Sequence, residues 1–387
     1  MNSIKKIYYL SRSYPAYFDT GGGALMRQAQ VEILRKNGFE VIVVLPNYGK
    51  NTLELKADNT LLIPFKHFER FTYWKHRKGI IDCFLDKWVK NSIIYLKDKI
   101  NKNDLVFATT GGEFGTLKLG SLLKDVTGCK FIINYHDPIA FTSVNGTTQD
   151  SNTNINKDKK EGEYLKNVDF VITSSEVIRI SLLQKHPFLS KDKIKTNYFG
   201  YLKSLPSDKT EYKKNKVTIV YGGSFANLQQ PELLIKVAKD IKDIEVVYIG
   251  NHKNYQPLKK YKNQCTLLPA MPYEKYVKYI QKNADIGFMS LTNEYLGACV
   301  PSKLFEYINV ELPIIGALPM GDANAIINKK EYGLSCHFSD EKTLKNNIIK
   351  LLDANKRRYY QQKIKAEREK WKMEHRMKDV INIIKSL

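Results

Sequence analysis

Strand-like and helix-like segments alternate along this chain, and they do so in two series separated by a lysine-rich break. In the first series, apolar β-rich runs at 7–11, 40–45, 61–65, 105–109, 131–135, 170–173 and 195–199 read as strands. Their apolar character suits parallel strands buried on both faces. Helical patterns lie between them. The clearest is ALMRQAQVEILRKNG, with Leu25, Ala29, Ile33 and Leu34 on one face and Gly38 just past the end. After SLPSDKTEYKKNK the second series runs strand 217–221, helix 231–241, strands 245–249 and 266–268, helix 273–282 and strand 286–290. A short helix carrying Lys303 and Glu306 follows, then strand 313–315 and a strand–helix pair within 332–352. A polar, Thr/Asn-rich loop is predicted over 145–163, and one long basic helix from 355 to 387. Two such series predict an α/β protein with two Rossmann-like doubly wound domains facing across a cleft. The expected domains are 1–203 and 204–370, with a terminal helix, 371–387, packing back on the first. In open parallel sheets ligands bind at the carboxyl ends of the strands, which sets where site residues should lie.

Composition narrows the class. The 387 residues are 43% hydrophobic, enough for packed cores and too many for disorder. No apolar run approaches the ~18 residues of a membrane span, and the run 7–10 is too short for a signal peptide. The five cysteines are scattered and odd in number, with no C-x-x-C pair, which argues for a reducing compartment and against structural zinc. The cytoplasm is the expected location. Lys plus Arg number 62 against 40 Asp plus Glu, a formal charge of +22. Such a surface attracts phosphates, as nucleic acid, anionic lipid or acidic glycan, although Lys-, Asn- and Ile-rich usage also fits a biased genome. In FKHFERFTYWKHRK (65–78) aromatics interleave with Lys, Arg and His, and Ile81, Phe84 or Leu85, Trp88 and Tyr95 follow at helical spacing. This pattern suits the anionic inner face of a membrane; alternatively the helix packs on the sheet with its basic side in water. No nucleic-acid module is recognisable, so a nucleic-acid partner is not expected.

Four loops carry candidate chemistry. In YPAYFDTGGGALMRQ, Gly21, Gly22 and Gly23 open the first helix, where backbone can approach a ligand and the helix N-terminus favours an anion. The segment is neither G-x-G-x-x-G nor G-x-x-x-x-G-K-[ST], and no acidic residue ends the second strand, which disfavours NAD and P-loop nucleotide binding. TTGGEFG ends the fourth strand with Gly111, Gly112 and Glu113, and NYHDPIAF ends the fifth with His136 and Asp137. VYGGSFANLQQ opens the second series, Gly222, Gly223 and Ser224 forming a backbone-donor nest suited to phosphate. In PSKLFEYINVELPIIG, Pro301-Ser302 reads as a helix start with Ser302 as cap. Lys303 and Glu306, three apart, share a face near that helix N-terminus, either as a surface ion pair or as part of a nucleotide site. No D-x-D and no H-E-x-x-H occur, so no metal and no cofactor are expected. A diphosphate would then be neutralised by helix termini and by Gly21–Gly23, Ser302 and Lys303.

These residues resemble the GT-B fold glycosyltransferases, in particular the retaining family four, over nearly the whole chain. The most specific part is ADIGFMSLTNEYLGACVPSKLFEYINVELPIIG, similar to the family's donor segment. The resemblance implies that Glu306 binds the ribose hydroxyls, that His136 contacts the donor sugar, and that Gly21–Gly23 close over the donor diphosphate. It implies catalytic roles for His136, Asp137 and Lys303, with Gly111, Gly112 and Glu113 on the acceptor side. Gly222, Gly223, Ser224, Gln229, Met271, Gly297 and Ser302 complete the expected donor-binding set. Two departures stand out. Ala298 occupies the position of the first glutamate of the E-x7-E motif, and Ser224 with Gln229 and Gln230 stand where many members carry Arg and Lys. Lys303 is then the candidate for the missing cation. The implied activity is transfer of a sugar from a nucleotide-sugar, UDP favoured over GDP, to a lipid-linked or glycan acceptor in bacterial surface polysaccharide synthesis. A non-hydrolysing nucleotide-sugar epimerase and a catalytically inactive basic membrane- or polyanion-binding module are the alternatives.

Overall fold

The structure is a computed structural model and describes residues 4–15, 17, 21–66, 74–75, 81, 83–139, 143–144, 147–148, 152–206 and 216–387. The chain forms two units, Met1–Tyr198 with Arg376–Leu387, and Phe199–His375.

The first unit is built on β1 (Lys6–Leu10), α1 (Gly22–Lys36), β2 (Glu40–Tyr48), β3 (Glu54–Leu55) and β4 (Thr60–Phe65). There follow α2 (Asp86–Leu96), β5 (Leu105–Gly111), α3 (Gly115–Thr127), β6 (Lys130–Asp137) and the short pair β7 (Ser143–Val144) and β8 (Thr147–Thr148). The series closes with α4 (Asn152–Leu165), β9 (Phe170–Thr173), α5 (Glu176–Lys185) and β10 (Ile194–Thr196). Its sheet has the order β10-β9-β6-β5-β1-β2-β4-β3. Every pair is parallel except the two-residue edge strand β3. The apolar runs behave as their composition demands: Leu105 to Ala108 on β5 and Phe131 to Ile133 on β6 are fully buried.

The second unit carries β11 (Val217–Gly222), α6 (Glu232–Ala238), β12 (Ile244–Ile249), α7 (Gln256–Lys259), β13 (Thr266–Leu268), α8 (Tyr273–Asn283) and β14 (Ile286–Ser290). Then come α9 (Ser302–Asn309), β15 (Ile314–Ala317), α10 (Asp322–Lys329), β16 (Gly333–Cys336), α11 (Glu341–Lys350) and α12 (Ala354–Glu367). Its six strands are all parallel, in the order β13-β12-β11-β14-β15-β16. α13 (Met373–Ser386) ends the chain. In each sheet the strand order reverses once, between β1 and β5 and between β11 and β14. The loops leaving those strands therefore diverge at a switch point, where doubly wound folds bind ligands.

Two expectations are corrected here. The polar loop of 145–163 is helical from Asn152 onward. It is anchored by a buried carboxylate: Glu161, fully buried, receives Tyr135 Oη at 3.0 Å, Lys185 Nζ at 3.1 Å and lies 3.2 Å from His186 Nε2. Polar composition hid a helix held by charge rather than by an apolar stripe. The single helix of 355–387 is broken. A 3-10 turn, Arg368–Trp371, separates α12 from α13, and Lys372 is extended. Tertiary contacts make the break: Arg368 pairs with Glu311 at 3.1 Å and Trp371 Nε1 donates to Tyr332 Oη at 2.8 Å. Around Lys372, Tyr201 N donates to Trp371 O at 2.9 Å and Met373 N to Tyr201 O at 3.0 Å. Of the two readings of the helix after the basic stretch, packing within the protein holds: Trp88 and Leu85 are fully buried and Phe84 and Tyr95 half-buried. Most of 65–78 and of the linker 204–216 lies outside the described residues.

Candidate functional site

In the second unit, β11 ends in Gly222 and runs into Gly223, whose φ of +126° is backbone that side chains rarely adopt. A Cβ on Gly223 would stand 2.9 Å from Lys303 Cε and Nζ, so the lysine lies directly against this glycine. One on Gly222 would enter the Tyr276 ring. Tyr221, just before, donates its hydroxyl to Ser224 O and fixes the turn. Lys303 Nζ stands over the Tyr221 ring, 4.9 Å from its centroid. The structure thus brings Gly222, Gly223, Ser224 and Lys303 together.

Helix α9 delivers the rest. Pro301, not Ser302, occupies its N-cap position, extended at φ −62° and ψ 141°, and Ser302 is the first helical residue with no capping bond. The hydroxyl serves Glu306 instead. Glu306 is 8% exposed, so it is not half of a surface ion pair. Burial raises its carboxyl above the usual range, opposed by the Lys303 ammonium and the Ser302 and Tyr276 hydroxyls. Burial lowers Lys303 against the pull of Glu306. In both groups desolvation outweighs mutual attraction, and Lys303 turns over an aromatic face rather than closing on the carboxylate. A cation and an anion held this way are poised for a ligand with charge and hydroxyls to offer.

The other expected donor residues also belong to the second unit. The Gln229 carbonyl accepts from Ser290 Oγ at the end of β14, while its Oε1 is buried without a partner. Met271 is half-buried ahead of α8. Gly297 lies in the turn Glu294–Ala298 and lines a shallow hollow with Leu291, Leu296, Cys299, Leu318 and Gly321. Ala298, where the resemblance puts a glutamate, is fully buried.

In the first unit the carboxyl ends of β5 and β6 come together, Gly111 pairing with Asp137 after a register shift at Thr110/Gly111. Gly112 has φ +96°. Glu113, 6% exposed, accepts from Gly111 N at 2.9 Å and lies 3.4 Å from Arg12 Nε. Burial raises its carboxyl, against the fields of Arg12 and Arg27. His136 is 7% exposed, and burial first, Arg27 second, hold it well below the usual imidazole range. Gly21 is the N-cap of α1, Gly22 and Gly23 begin it, and a Cβ on Gly23 would lie 3.7 Å from Arg27 Nη1. Among the described residues no group of three or more His, Cys, Asp or Glu could hold a metal ion.

Sequence reasoning missed Arg12 and Arg27. An arginine in an amphipathic helix ordinarily reads as a solvated residue. The available signal was position: Arg27 falls in the stripe of Ala24, Val31 and Leu34, all fully buried. It also missed Tyr221 and Tyr276, which shape the second-unit nest as aromatic walls.

Residues 205–369 match the glycosyl transferases group 1 family. No curated protein matches the chain. Among solved structures it is similar to HepE of Anabaena in complex with UDP and glucose, at 14% identity over 99% of this chain and 100% of that one, with a TM-score of 0.72. It is also similar to sucrose-phosphate synthase from Thermosynechococcus elongatus, at 16% identity, TM-score 0.73, covering 99% and 98%. A third is the lipopolysaccharide outer core galactosyltransferase WaaB in its apo form, at 12% identity, TM-score 0.67, covering 98% and 99%. At such identities the likeness shows the fold, which is GT-B. The family match of the second unit and this fold together support a glycosyltransferase.

Proposed function

We propose that the protein is a retaining, family-four-type glycosyltransferase that moves a sugar from a nucleotide-sugar, UDP-linked rather than GDP-linked, to a lipid-linked or glycan acceptor of bacterial surface polysaccharide. It works without a resident metal, at the inner face of the membrane. The observation that carries this reading is half-buried Lys303 and buried Glu306 at the start of α9, beside the Gly222–Gly223 nest, inside the segment that matches the glycosyltransferase family. Glu306 accepts the two ribose hydroxyls. Lys303 and the backbone of the nest take the diphosphate, whose charge grows as the bond to the sugar breaks. A cation held in a desolvated site acts more strongly there than it would in water. His136, kept neutral by burial, is suited to hydrogen-bonding a sugar hydroxyl; Asp137 keeps a catalytic role with it, and Gly111–Glu113 serve the acceptor side. In a retaining transfer the acceptor hydroxyl is held on the leaving-group side of the anomeric carbon, where the departing diphosphate takes its proton.

Calorimetric titration with UDP and GDP in EDTA-containing buffer tests the reading. Wild-type protein should bind UDP, and more tightly than GDP. Glu306→Ala should lose about tenfold to a hundredfold in UDP affinity, the range expected from roughly 1.5–3 kcal/mol for bonds to a charged acceptor. Glu306→Gln should lose less. Unchanged UDP affinity in the alanine variant would sink the ribose assignment, and loss of binding with EDTA would sink the metal-free site.

A further inference from the structure

The carboxylate of Glu306 is buried, and the groups acting on it can be counted. From α9 come the Ser302 hydroxyl and the Lys303 ammonium, which acts through its charge and stands over the Tyr221 ring. From α8 come Tyr276, whose hydroxyl acts on the carboxylate directly, and Tyr273, which feels its charge. Tyr276 is 9% exposed, and its place is tightly set. Its ring lies against Gly222 at the end of β11, where an added Cβ would stand 2.4 Å from both Cε2 and Oη, so nothing larger than glycine fits there. Tyr307 is its other neighbour. Tyr307 Oη donates to Phe288 O at 2.9 Å, which leaves its oxygen to face the Tyr276 hydroxyl. Tyr276 Oη acts on both Glu306 and Tyr307 but closes no hydrogen bond of ordinary geometry. An ionised carboxylate offers about four acceptor positions. Protein hydroxyls, those of Ser302 and Tyr276, serve two of them. Two remain, and an acceptor position left empty in a buried site is costly.

We propose that Tyr276 is a positioning residue of the donor site, holding the Glu306 carboxylate so that its two remaining acceptor positions take both hydroxyls of a ribose, which makes the donor a ribonucleotide and excludes 2′-deoxyribonucleotides. This rests on the glycosyltransferase reading and goes beyond it by naming the residue that makes the site select for the diol. A 2′-deoxyribose fills one position and leaves the other buried and empty. Sites built to hydrogen-bond a substrate hydroxyl reject the analogue that lacks it. Tyr276 also helps to keep the carboxylate ionised. Burial raises Glu306 above the usual carboxyl range, opposed by Lys303, Ser302 and Tyr276. A proton on the carboxyl turns one acceptor position into a donor, so the diol is held above the folded-state value and released as pH falls through it. Without the Tyr276 hydroxyl that release begins at higher pH.

UDP and 2′-deoxy-UDP are the probes, titrated calorimetrically into the full chain across the acid and neutral range. The wild type should prefer UDP by roughly tenfold to a hundredfold, as one unfilled acceptor position on a buried charged group demands. Tyr276→Phe keeps the ring against Gly222 and removes only the hydroxyl. It should narrow that preference by about threefold to tenfold and move the acid edge of UDP binding to higher pH. Tyr279→Phe takes a hydroxyl from the same helix that feels Glu245 instead, and should change neither. If Tyr276→Phe lowers thermal stability, the ratio of the two affinities still decides, because a loss of folded protein scales both alike. Equal binding of UDP and 2′-deoxy-UDP by the wild type would overturn the diol match while leaving a nucleotide site. A preference and an acid edge that Tyr276→Phe leaves unchanged, while Glu306→Ala loses affinity, would overturn the role of Tyr276 and leave the glycosyltransferase reading intact. A wild-type protein that binds no UDP at any pH would remove that reading and this inference with it.

Discussion

A buried histidine at the end of β6 ties protonation to stability. The neutral form of His136 is favoured by burial and by Arg27, so its folded-state pKa lies well below the ordinary 6.5. A depressed imidazole contributes stability that is fully present above the unfolded value and is lost as pH falls through it toward the folded value. Below pH ~6.5 the unfolded chain takes up a proton that the folded one refuses, at up to about 1.4 kcal/mol per pH unit. Denaturant titrations from pH 7.5 to 5 should show this loss in the wild type, and His136→Asn should flatten it by one proton's worth. An identical pH slope in the two proteins would mean that the ring is protonated in the fold. What was legible at this scale was the residue with distinctive chemistry: His136, Lys303 and Glu306 stand out of their surroundings in the sequence. The burial of His136 and Glu306 was not legible, because it depends on what lies opposite. Tyr221 and Tyr276 wall in the nest that holds Lys303, and both are set by strand pairing and helix packing between distant segments.

Elements were legible wherever one apolar pattern sufficed. The strand expected at 286–290 is β14 and that at 170–173 is β9, because runs buried on both faces carry a dense local signal; that at 266–268 is the half-buried edge strand β13. Elements that depend on distant partners were not legible. α4 is fastened by Glu161, and the end of α12 by the bridge between Tyr201 and Lys372. That bridge makes a prediction of its own. A Cβ on Gly200 would stand 2.2 Å from Trp371 O and 2.8 Å from Met373 N, both backbone atoms that cannot rotate away. Gly200→Ala should therefore force the two segments apart and destabilise the second unit by about 1–3 kcal/mol, as overpacking does. Chemical denaturation followed by Trp371 fluorescence would measure it, with Trp74 and Trp88 replaced by Phe to isolate the signal. Stability within ~0.5 kcal/mol of the parent would show that the chain bends around the added methyl and that the extended Lys372 is not held by this contact.

At the scale of the whole molecule, the two βα series gave the class of fold directly, since alternation with apolar strands has few other outcomes. The charge of +22 is a property of the whole chain that the fold does not use, and no described helix is long and apolar enough to cross a membrane. If that charge docks the protein on an anionic surface, binding is electrostatic and must follow the screening length, which falls from ~8 Å at physiological salt to ~3 Å at 1 M. Sedimentation with vesicles containing phosphatidylserine or phosphatidylglycerol should therefore show binding that weakens steeply as NaCl rises, and little binding to neutral phosphatidylcholine. The stretch 65–78 is the place to test. Lys66 and Trp74 are exposed, and each basic residue near such a surface contributes about 1 kcal/mol. Replacing Lys66, Arg70, Lys75, Arg77 and Lys78 together by Gln should cost most of the vesicle binding and none of the UDP affinity. The buried face of α2 makes the test sharper: with Trp88 and Leu85 inside the protein, that face cannot insert into lipid, so attachment has to come from charge and from Trp74, exposed in the preceding stretch. Binding that is equal on neutral and anionic vesicles, or that survives 1 M salt, would show that the basic surface reflects residue usage rather than a membrane partner.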